Sequence, residues 1–240
     1  MLHREETGAG EPVVLVHGAW ADGRHWTRLA SELGEFRAIT YDRRGHGRSG
    51  GRVEGIAKDV EDLVGLIEWL GTPAHVVGGS FGGSVALRLA AQRPDLLHSL
   101  SVHEPALSGL LGNAPARPEG MPSPEEFADS SLGEGAWERL TEDERDGFRD
   151  NGGAWRDEMS DAEAFSIDTD ALAAFDRPAL VTIGGASPDF WQRIADALTG
   201  ALPNATVDTV PGAGHLPHLT HAREYARLVR DFASAAVAPR

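Results

Sequence analysis

Six short apolar runs alternate along the chain with longer segments in which apolar residues recur every three or four positions. The runs are PVVLVHG (12–18), FRAITYD (36–42), AHVVGGS (74–80), LHSLSVHE (97–104), PALVTIGG (178–185) and ATVDTVPG (205–212). Strands that alternate with helices in this way usually pair in parallel, because each helix carries the chain back across the sheet. The pattern therefore predicts an α/β fold with a mostly parallel sheet and helices on both faces.

The segment from residue 105 to residue 177 interrupts this alternation. Residues 119–170 hold 17 of the 37 acidic residues but only four basic ones. Patterns such as SPEEFADSSL and TEDERDGFRDN predict helices with acidic first turns. We therefore expect an α/β core, residues 1–104 and 178–240, with residues 105–177 inserted as a small helical cap. The charge of the cap is expected to face solvent, with steering of cationic substrates as the alternative.

Composition excludes several classes of protein. A chain of 240 residues with 41% hydrophobic and 25% charged residues is typical of one globular α/β domain. The net charge of −15 argues against a nucleic-acid partner. No apolar run is long enough to cross a bilayer and the first residues do not resemble a signal peptide, so we expect a cytoplasmic protein without a membrane partner. The absence of cysteine excludes disulfides, zinc thiolate sites and a cysteine nucleophile.

One serine is surrounded by four glycines at the point where a predicted strand meets a predicted helix. The stretch Gly78-Gly79-Ser80-Phe81-Gly82 satisfies the G-x-S-x-G motif in the strand-to-helix context that the motif requires. A serine there occupies a sharp, strained turn, and glycines leave room for it. Ser80 is therefore the predicted nucleophile, and a glycine-rich turn used only for packing or for phosphate binding is the alternative. The stretch lacks the nucleotide-binding fingerprints, so no nucleotide cofactor is expected.

A serine hydroxyl becomes a good nucleophile only when a base removes its proton. His215 ends the stretch PGAGH after the last predicted strand, at the sheet edge where catalytic loops gather. His215 is therefore the predicted base. An oxyanion also needs two backbone donors, which we expect to be the N–H groups of Phe81 and of Ala19, with Trp20 as the competitor of Ala19.

These motifs, in this order, resemble those of the α/β-hydrolase fold family, in particular its small, cofactor-free esterase and lipase-like enzymes. The stretches LVHGAW, YDRRGHGRSG, GGSFGG and PGAGH carry the resemblance over nearly the whole chain. The resemblance implies the chain order nucleophile, acid, histidine, and a cap inserted after LHSLSVHE, the sixth family strand. The arginines and aspartate of DRRGHGRS are expected to form a structural network, with binding of an anionic substrate group as the alternative.

The acid of the expected triad has two candidates. Much of the family places an aspartate in a G-x-x-D pattern, but this chain has Ser187 at that position and Asp189 two residues later. Some members instead use a glutamate at the end of the preceding strand, where this chain has Glu104. Either strand end could reach His215. Glu104 is favoured, Asp189 is the alternative, and a serine–histidine dyad remains open.

The combined prediction is a serine hydrolase that cleaves an ester, lactone or thioester of a small apolar substrate through an acyl-enzyme. The expected lining of the substrate site is Trp20, Trp155, Trp191 and His218, although core packing would also explain each of them. No metal or other cofactor is expected, and the oligomeric state is left open. The alternatives are a non-hydrolytic enzyme of the same fold, such as a lyase, acyl transferase or cyclase, and a small-molecule receptor that retains the fold.

Overall fold

The computed structural model describes residues 2–112, 120–161 and 163–237. Within these ranges a seven-stranded sheet has the order β1-β3-β2-β4-β5-β6-β7. Its strands are β1 (Arg4–Thr7), β2 (Pro12–Val16), β3 (Arg37–Tyr41), β4 (Ala74–Gly79), β5 (Leu97–His103), β6 (Ala179–Gly184) and β7 (Ala205–Val210). β1 pairs antiparallel with β3, and the other five pairings are parallel. The predicted α/β fold with a mostly parallel sheet is confirmed.

All six predicted strands occur, and each begins and ends within two residues of its predicted limits. The strand missing from the prediction is β1, whose sequence REET is charged and largely exposed. An edge strand with exposed side chains lacks the apolar signature on which strand prediction depends.

The helices between these strands have the following bounds. They are α1 (Thr27–Ser31), α2 (Ile56–Leu70), α3 (Phe81–Gln92), α4 (Pro124–Leu132), α5 (Glu142–Glu158), α6 (Thr169–Leu172), α7 (Asp189–Ala201), α8 (Pro217–Thr220) and α9 (Ala222–Val237). Among the described residues, no helix is both long enough and apolar enough to cross a membrane.

The two faces of the sheet bury separate apolar clusters. In β2, Val14 and Val16 pack with residues of α2, α3 and α7, whereas Val13 and Leu15 pack with residues of α1 and α9. This division follows from the pleat, because successive side chains of a strand point to opposite faces. Helices therefore cover both faces, as the sequence predicts.

Three helices, α4 to α6, lie in the segment between β5 and β6. The helices α4 and α5 both begin at the capping boxes visible in the sequence, at Ser123 and Thr141. Residues 113–119 and 162, which belong to the predicted cap of 105–177, lie outside the described residues.

The charge of α5 is not all directed to solvent. Its buried positions include Glu144, Asn151 and Glu158, which follow one another at intervals of seven residues. This spacing brings the three polar side chains to the same face of the helix. The expectation that the acidic segment has a purely solvated surface is therefore too simple, because two of its carboxylates point into the protein.

Candidate active site

Three residues other than glycine have a positive φ angle within the described ranges, and all three follow strands of the parallel sheet. They are Trp20 (φ 58°) after β2, Ser80 (φ 52°) after β4 and Glu104 (φ 42°) after β5. Such a conformation costs about 1–3 kcal/mol per residue and is concentrated at functional sites. The backbone strain thus marks the carboxyl edge of the central strands, where the sequence places the predicted nucleophile and one of the candidate acids.

The turn at Ser80 is held by backbone hydrogen bonds on both sides. Its N–H donates to the carbonyl of His103 (2.9 Å), and its own carbonyl accepts from the N–H of Gly83 (3.0 Å) and of Ala106 (3.1 Å). The helix α3 begins at the next residue, so its N-terminus faces the serine. This arrangement favours negative charge near the hydroxyl.

The glycines around Ser80 differ in how strictly they are required. A Cβ atom on Gly78 would lie 2.5 Å from the carbonyl oxygen of Gly82, and one on Gly82 would overlap the carbonyl oxygen of Val16. A Cβ atom on Gly79 would lie 3.6 Å from the nearest Trp26 atom, which is an ordinary contact. Steric need is therefore strongest at Gly78 and Gly82, the two glycines of the G-x-S-x-G motif.

The loop after β7 brings His215 to Glu104. Nδ1 of His215 lies 2.7 Å from Oε2 of Glu104, whose other oxygen accepts the Gly184 N–H at 2.8 Å. The Glu104 side chain is fully buried and that of His215 is 17% exposed. Burial alone would raise the pKa of the Glu104 carboxyl, but the hydrogen bond from His215 and the nearby histidines hold that pKa below its ordinary value.

The other candidate acid lies elsewhere on the surface. Asp189 is the first residue of α7 and is exposed. Its position is that of an ordinary acidic residue in the first helical turn, where a carboxylate complements the helix dipole. The carboxylate at hydrogen-bond distance from Nδ1 of His215 is that of Glu104.

The loop after β2, which carries the predicted oxyanion donor Ala19, passes directly beside Ser80. A Cβ atom on Gly18 would lie 3.2 Å from Cβ of Ser80. Phe81, the other predicted donor, is the first residue of α3 and its side chain is buried. Phe81 therefore follows the serine directly, and Gly18, the residue before Ala19, lies beside it.

The aromatic residues predicted to line the substrate site separate into two groups. Trp20 stacks on Phe127 with ring centroids 5.0 Å apart and contacts Trp155 at 5.5 Å, and both tryptophans are buried. Trp191 instead stacks on the ring of His215 at 4.6 Å. Trp20 and Trp155 thus join the loop after β2 to the helices between β5 and β6, while Trp191 covers the histidine.

Two further histidines are buried near the serine. His218 stacks on Trp26 at 4.1 Å, and a Cβ atom on Gly79 would lie 3.8 Å from its ring. Burial lowers the pKa of His218 well below its ordinary value and that of His103 to about 4. Both rings are therefore neutral near pH 7. His103 was not among the residues predicted for the site.

The sequence also does not reveal which groups surround Arg43 of the DRRGHGRS stretch. Its fully buried guanidinium lies 2.9 Å from Asp59 of α2 and 2.5 Å from Glu158 of α5. Spacing alone does not identify the buried face of α5, because Asp143, Asp150 and Asp157 repeat at the same interval of seven residues as Glu144, Asn151 and Glu158 but are exposed. The partner of that face depends on how α5 docks, which one sequence does not show. No group of three or more His, Cys, Asp or Glu residues in the described ranges is arranged to hold a metal ion.

The sequence of this chain is similar to those of known hydrolases. The model of the alpha/beta hydrolase family matches residues 13–228. Lipase LipV of Mycobacterium tuberculosis is 40% identical over 111 residues, which cover 45% of this chain and 42% of the lipase, so the match spans less than half of that relative.

Solved structures extend the likeness to the whole chain. A thermophilic esterase from Thermogutta terrifontis has a TM-score of 0.76 and 26% identity, and the alignment covers 98% of this chain and 93% of the esterase. A bromoperoxidase from Bacillus anthracis has a TM-score of 0.78 and 24% identity, with 97% of this chain and 95% of that chain covered. The second likeness is one of fold alone.

Proposed function

The chain belongs to the alpha/beta hydrolase family, and from that premise we propose that it is a serine hydrolase that cleaves a carboxylic ester, lactone or thioester of a small apolar substrate. The resemblance drawn from the sequence motifs is thereby confirmed at the level of the family. The esterase and lipase among its relatives support an ester-type substrate. The reaction would proceed through an acyl-enzyme.

In the proposed mechanism Ser80 Oγ attacks the substrate carbonyl while Nε2 of His215 takes its proton. The protonated histidine then gives the proton to the leaving alcohol or thiol, and the acyl group remains on Ser80. A water molecule, deprotonated by the same histidine, hydrolyses the acyl-enzyme. The strained turn at Ser80 supports this role, since the position holds the side chain at the edge of the sheet.

Glu104 is the proposed acid of the triad. Its hydrogen bond to Nδ1 of His215 keeps the proton on Nδ1 and leaves Nε2 free to accept one from serine. The Gly184 N–H on its second oxygen fixes the carboxylate in that orientation. The short distance between Glu104 and His215 is the single observation that carries the proposal.

The oxyanion of the tetrahedral intermediate would bind the N–H groups of Ala19 and Phe81. The acyl group would lie against the apolar cluster that includes Trp20, Trp155 and Leu219. Residues 105–177 would act as the cap that closes this cluster over Ser80. Because the side chains of this cluster are apolar and buried, we expect an apolar acyl group.

The test of the proposal is turnover of 4-nitrophenyl acetate by Ser80→Ala. We expect complete loss of turnover and of labelling by a fluorophosphonate probe, because both require the serine oxygen. Ser84→Ala is the matched control, since Ser84 lies in the first turn of α3, the helix that follows Ser80, and is fully buried. Turnover by the Ser80 variant at the wild-type rate would refute the mechanism.

The acid is tested by a second pair of variants. Glu104→Gln should lower kcat about 10³- to 10⁴-fold, as expected when the histidine loses the carboxylate that sets its tautomer. Asp189→Asn should stay near the wild-type rate. If kcat fell in Asp189→Asn and not in Glu104→Gln, Glu104 would be the wrong acid, but the role of Ser80 as nucleophile would be unaffected.

Hydrolysis is separated from acyl transfer or lyase chemistry by the source of oxygen in the product. Turnover in ¹⁸O-labelled water should place one labelled oxygen in each released carboxylate. A product without label would show that another acceptor resolves the acyl-enzyme or that no acyl-enzyme is hydrolysed.

A further inference from the structure

Arg43 is buried beneath the loop after β2 and holds two consecutive carbonyl groups of that loop. Its Nε donates to the carbonyl of His17 (3.1 Å) and its Nη2 to the carbonyl of Gly18 (3.0 Å). Its backbone N–H donates to Nε2 of His17 at 2.8 Å. Because Nε2 accepts that bond, the neutral ring carries its proton on Nδ1, which lies 2.9 Å from the Gly18 carbonyl. The Gly18 carbonyl therefore accepts from two buried donors.

The Gly18 carbonyl belongs to the same peptide unit as the N–H of Ala19. In a planar trans peptide these two groups point in opposite directions, so fixing the carbonyl also fixes the direction of the N–H. A cation hydrogen-bonded to the carbonyl oxygen additionally polarises the peptide and strengthens its N–H as a donor. The guanidinium also lies 4.7 Å from the ring centroid of Phe81, the residue of the second proposed donor.

The position of Arg43 is set in turn by a carboxylate from α5. Glu158, the last residue of that helix, is fully buried and its Oε1 lies 2.5 Å from the same Nη2 that holds the Gly18 carbonyl. Asp59 of α2 binds the other terminal nitrogen at 2.9 Å. Asp59 belongs to the core, whereas Glu158 comes from the inserted segment. One nitrogen of Arg43 thus joins α5 directly to the peptide that ends in the Ala19 N–H.

We propose that Arg43 is a positioning residue for the Ala19 oxyanion donor and that Glu158 of α5 holds it there, so that this one contact of α5, rather than its docking in general, completes the oxyanion hole. This inference rests on the proposed function. It assigns α5 a part in the rate of the chemical step, in addition to covering the site. Arg43 acts through the peptide and does not itself touch the substrate.

The test compares Glu158→Ala with Glu158→Gln and with Asn151→Ala. Glu158→Ala removes the one acceptor that α5 offers to Arg43. It should lower kcat for 4-nitrophenyl acetate about 10- to 100-fold with little change in KM, because a misplaced oxyanion donor is felt mainly in the transition state. Glu158→Gln keeps a carbonyl oxygen that can accept from Nη2 and should restore most of the rate. Asn151 lies two turns away on the same face of α5 and binds the core without contacting Arg43, so its variant controls for loss of docking in general.

A merely structural role is excluded by a second substrate, the thionoester counterpart of 4-nitrophenyl acetate. Sulfur accepts hydrogen bonds poorly, so the donors of the oxyanion hole assist the thionoester less than the ester. The ratio of the ester rate to the thionoester rate should therefore fall in Glu158→Ala and stay at the wild-type value in Asn151→Ala. An unchanged ratio in Glu158→Ala, or an equal fall in Asn151→Ala, would overturn the inference.

Arg43→Lys provides the same comparison if Glu158→Ala does not fold. A lysine keeps the charge but cannot reach both loop carbonyls and both carboxylates, so its ester-to-thionoester ratio should also fall. A wild-type ratio in this variant would equally overturn the inference. If Ser80→Ala is inactive but the Glu158 and Arg43 variants keep the wild-type ester-to-thionoester ratio, only the role of Arg43 and Glu158 is rejected. If Ser80→Ala is active, the proposed function itself is rejected.

Discussion

Helix α3 and helix α5 meet the rest of the protein through interfaces of opposite character. α3 packs through apolar residues such as Phe81, Val85 and Leu89 against the sheet and α2. α5 shares the apolar cluster around Trp20, but its buried face also carries Glu144, Asn151 and Glu158, and each of them binds a polar group of the core. Helix α3 is held mainly by burial of apolar surface, whereas α5 is held also by a row of hydrogen bonds and ion pairs.

This difference bears on how accurately each helix is placed. Apolar packing is non-directional and accepts small shifts of a helix, whereas a hydrogen bond weakens steeply when its distance or angle changes. Three directed contacts spaced along seventeen residues therefore set both the rotation and the axial position of α5. In the proposed mechanism such placement matters, because the last of these contacts reaches the Gly18–Ala19 peptide.

The largest effect is expected from a cavity in the apolar core. Leu63 of α2 is fully buried, and Leu63→Ala should lower the free energy of unfolding by about 2–5 kcal/mol. Because the sheet and its helices share this cluster, amide hydrogen exchange should rise in β4 and β5 as well as in α2. Loss of protection confined to α4 and α5 would contradict this expectation. High salt should leave the loss of stability unchanged, since no charge is involved.

A charge change on the polar face of α5 should produce a smaller and more local loss. Asn151 donates to Oδ2 of Asp22 at 2.8 Å and accepts from the Gly47 N–H. Asn151→Asp would place a second buried carboxylate against Asp22, and we expect α5 to lose about 2–3 kcal/mol of local stability. Hydrogen exchange should therefore accelerate in α4 and α5 and stay unchanged in β4 and β5.

The matched control for that variant is Asn151→Ala, which removes the same hydrogen bonds without adding a charge. The aspartate variant should be the less stable of the two at pH 7, and the gap should close as the pH falls toward 4 and the new carboxyl is protonated. A gap that is independent of pH would show that the contact acts through shape alone.

The six apolar strands and the turn at Ser80 could be predicted from the sequence because their signals lie in neighbouring residues. The apolar runs predict the strands, and the glycines around Ser80 predict the turn from neighbouring residues. The contact of Arg43 with Glu158 joins residues 115 positions apart, and no local pattern shows which buried carboxylate meets which arginine. For the same reason the pairing of Glu104 with His215 could be anticipated only as one alternative beside Asp189 and a serine–histidine dyad, since both carboxylates follow neighbouring strands.

A moderate effect is expected where α5 approaches the core most closely. A Cβ atom on Gly147 would overlap the ring of His25, which is fully buried and cannot move aside. Gly147→Ala should cost about 1–3 kcal/mol of stability, as overpacking generally does. Gly153→Ala, at an exposed position with open space around it, should instead stabilise the protein by about 0.5–1 kcal/mol. Thermal unfolding of the two variants measures these changes as shifts in Tm. Equal shifts in Gly147→Ala and Gly153→Ala would mean that α5 does not pack closely against His25.

The smallest effect is expected at the outer end of the same row of contacts. Arg28 binds Glu144 at 2.5 Å, but its side chain is 39% exposed, so water and salt screen the pair. Arg28→Ala should cost at most about 1 kcal/mol, and the cost should shrink further in 1 M NaCl. The buried pair of Arg43 and Glu158 should respond little to the same salt, because no solvent separates its charges. Urea denaturation at low and high salt measures the free energy of unfolding for both pairs. If the loss of stability in Arg28→Ala did not depend on salt, Arg28 would contribute through packing of its aliphatic stem.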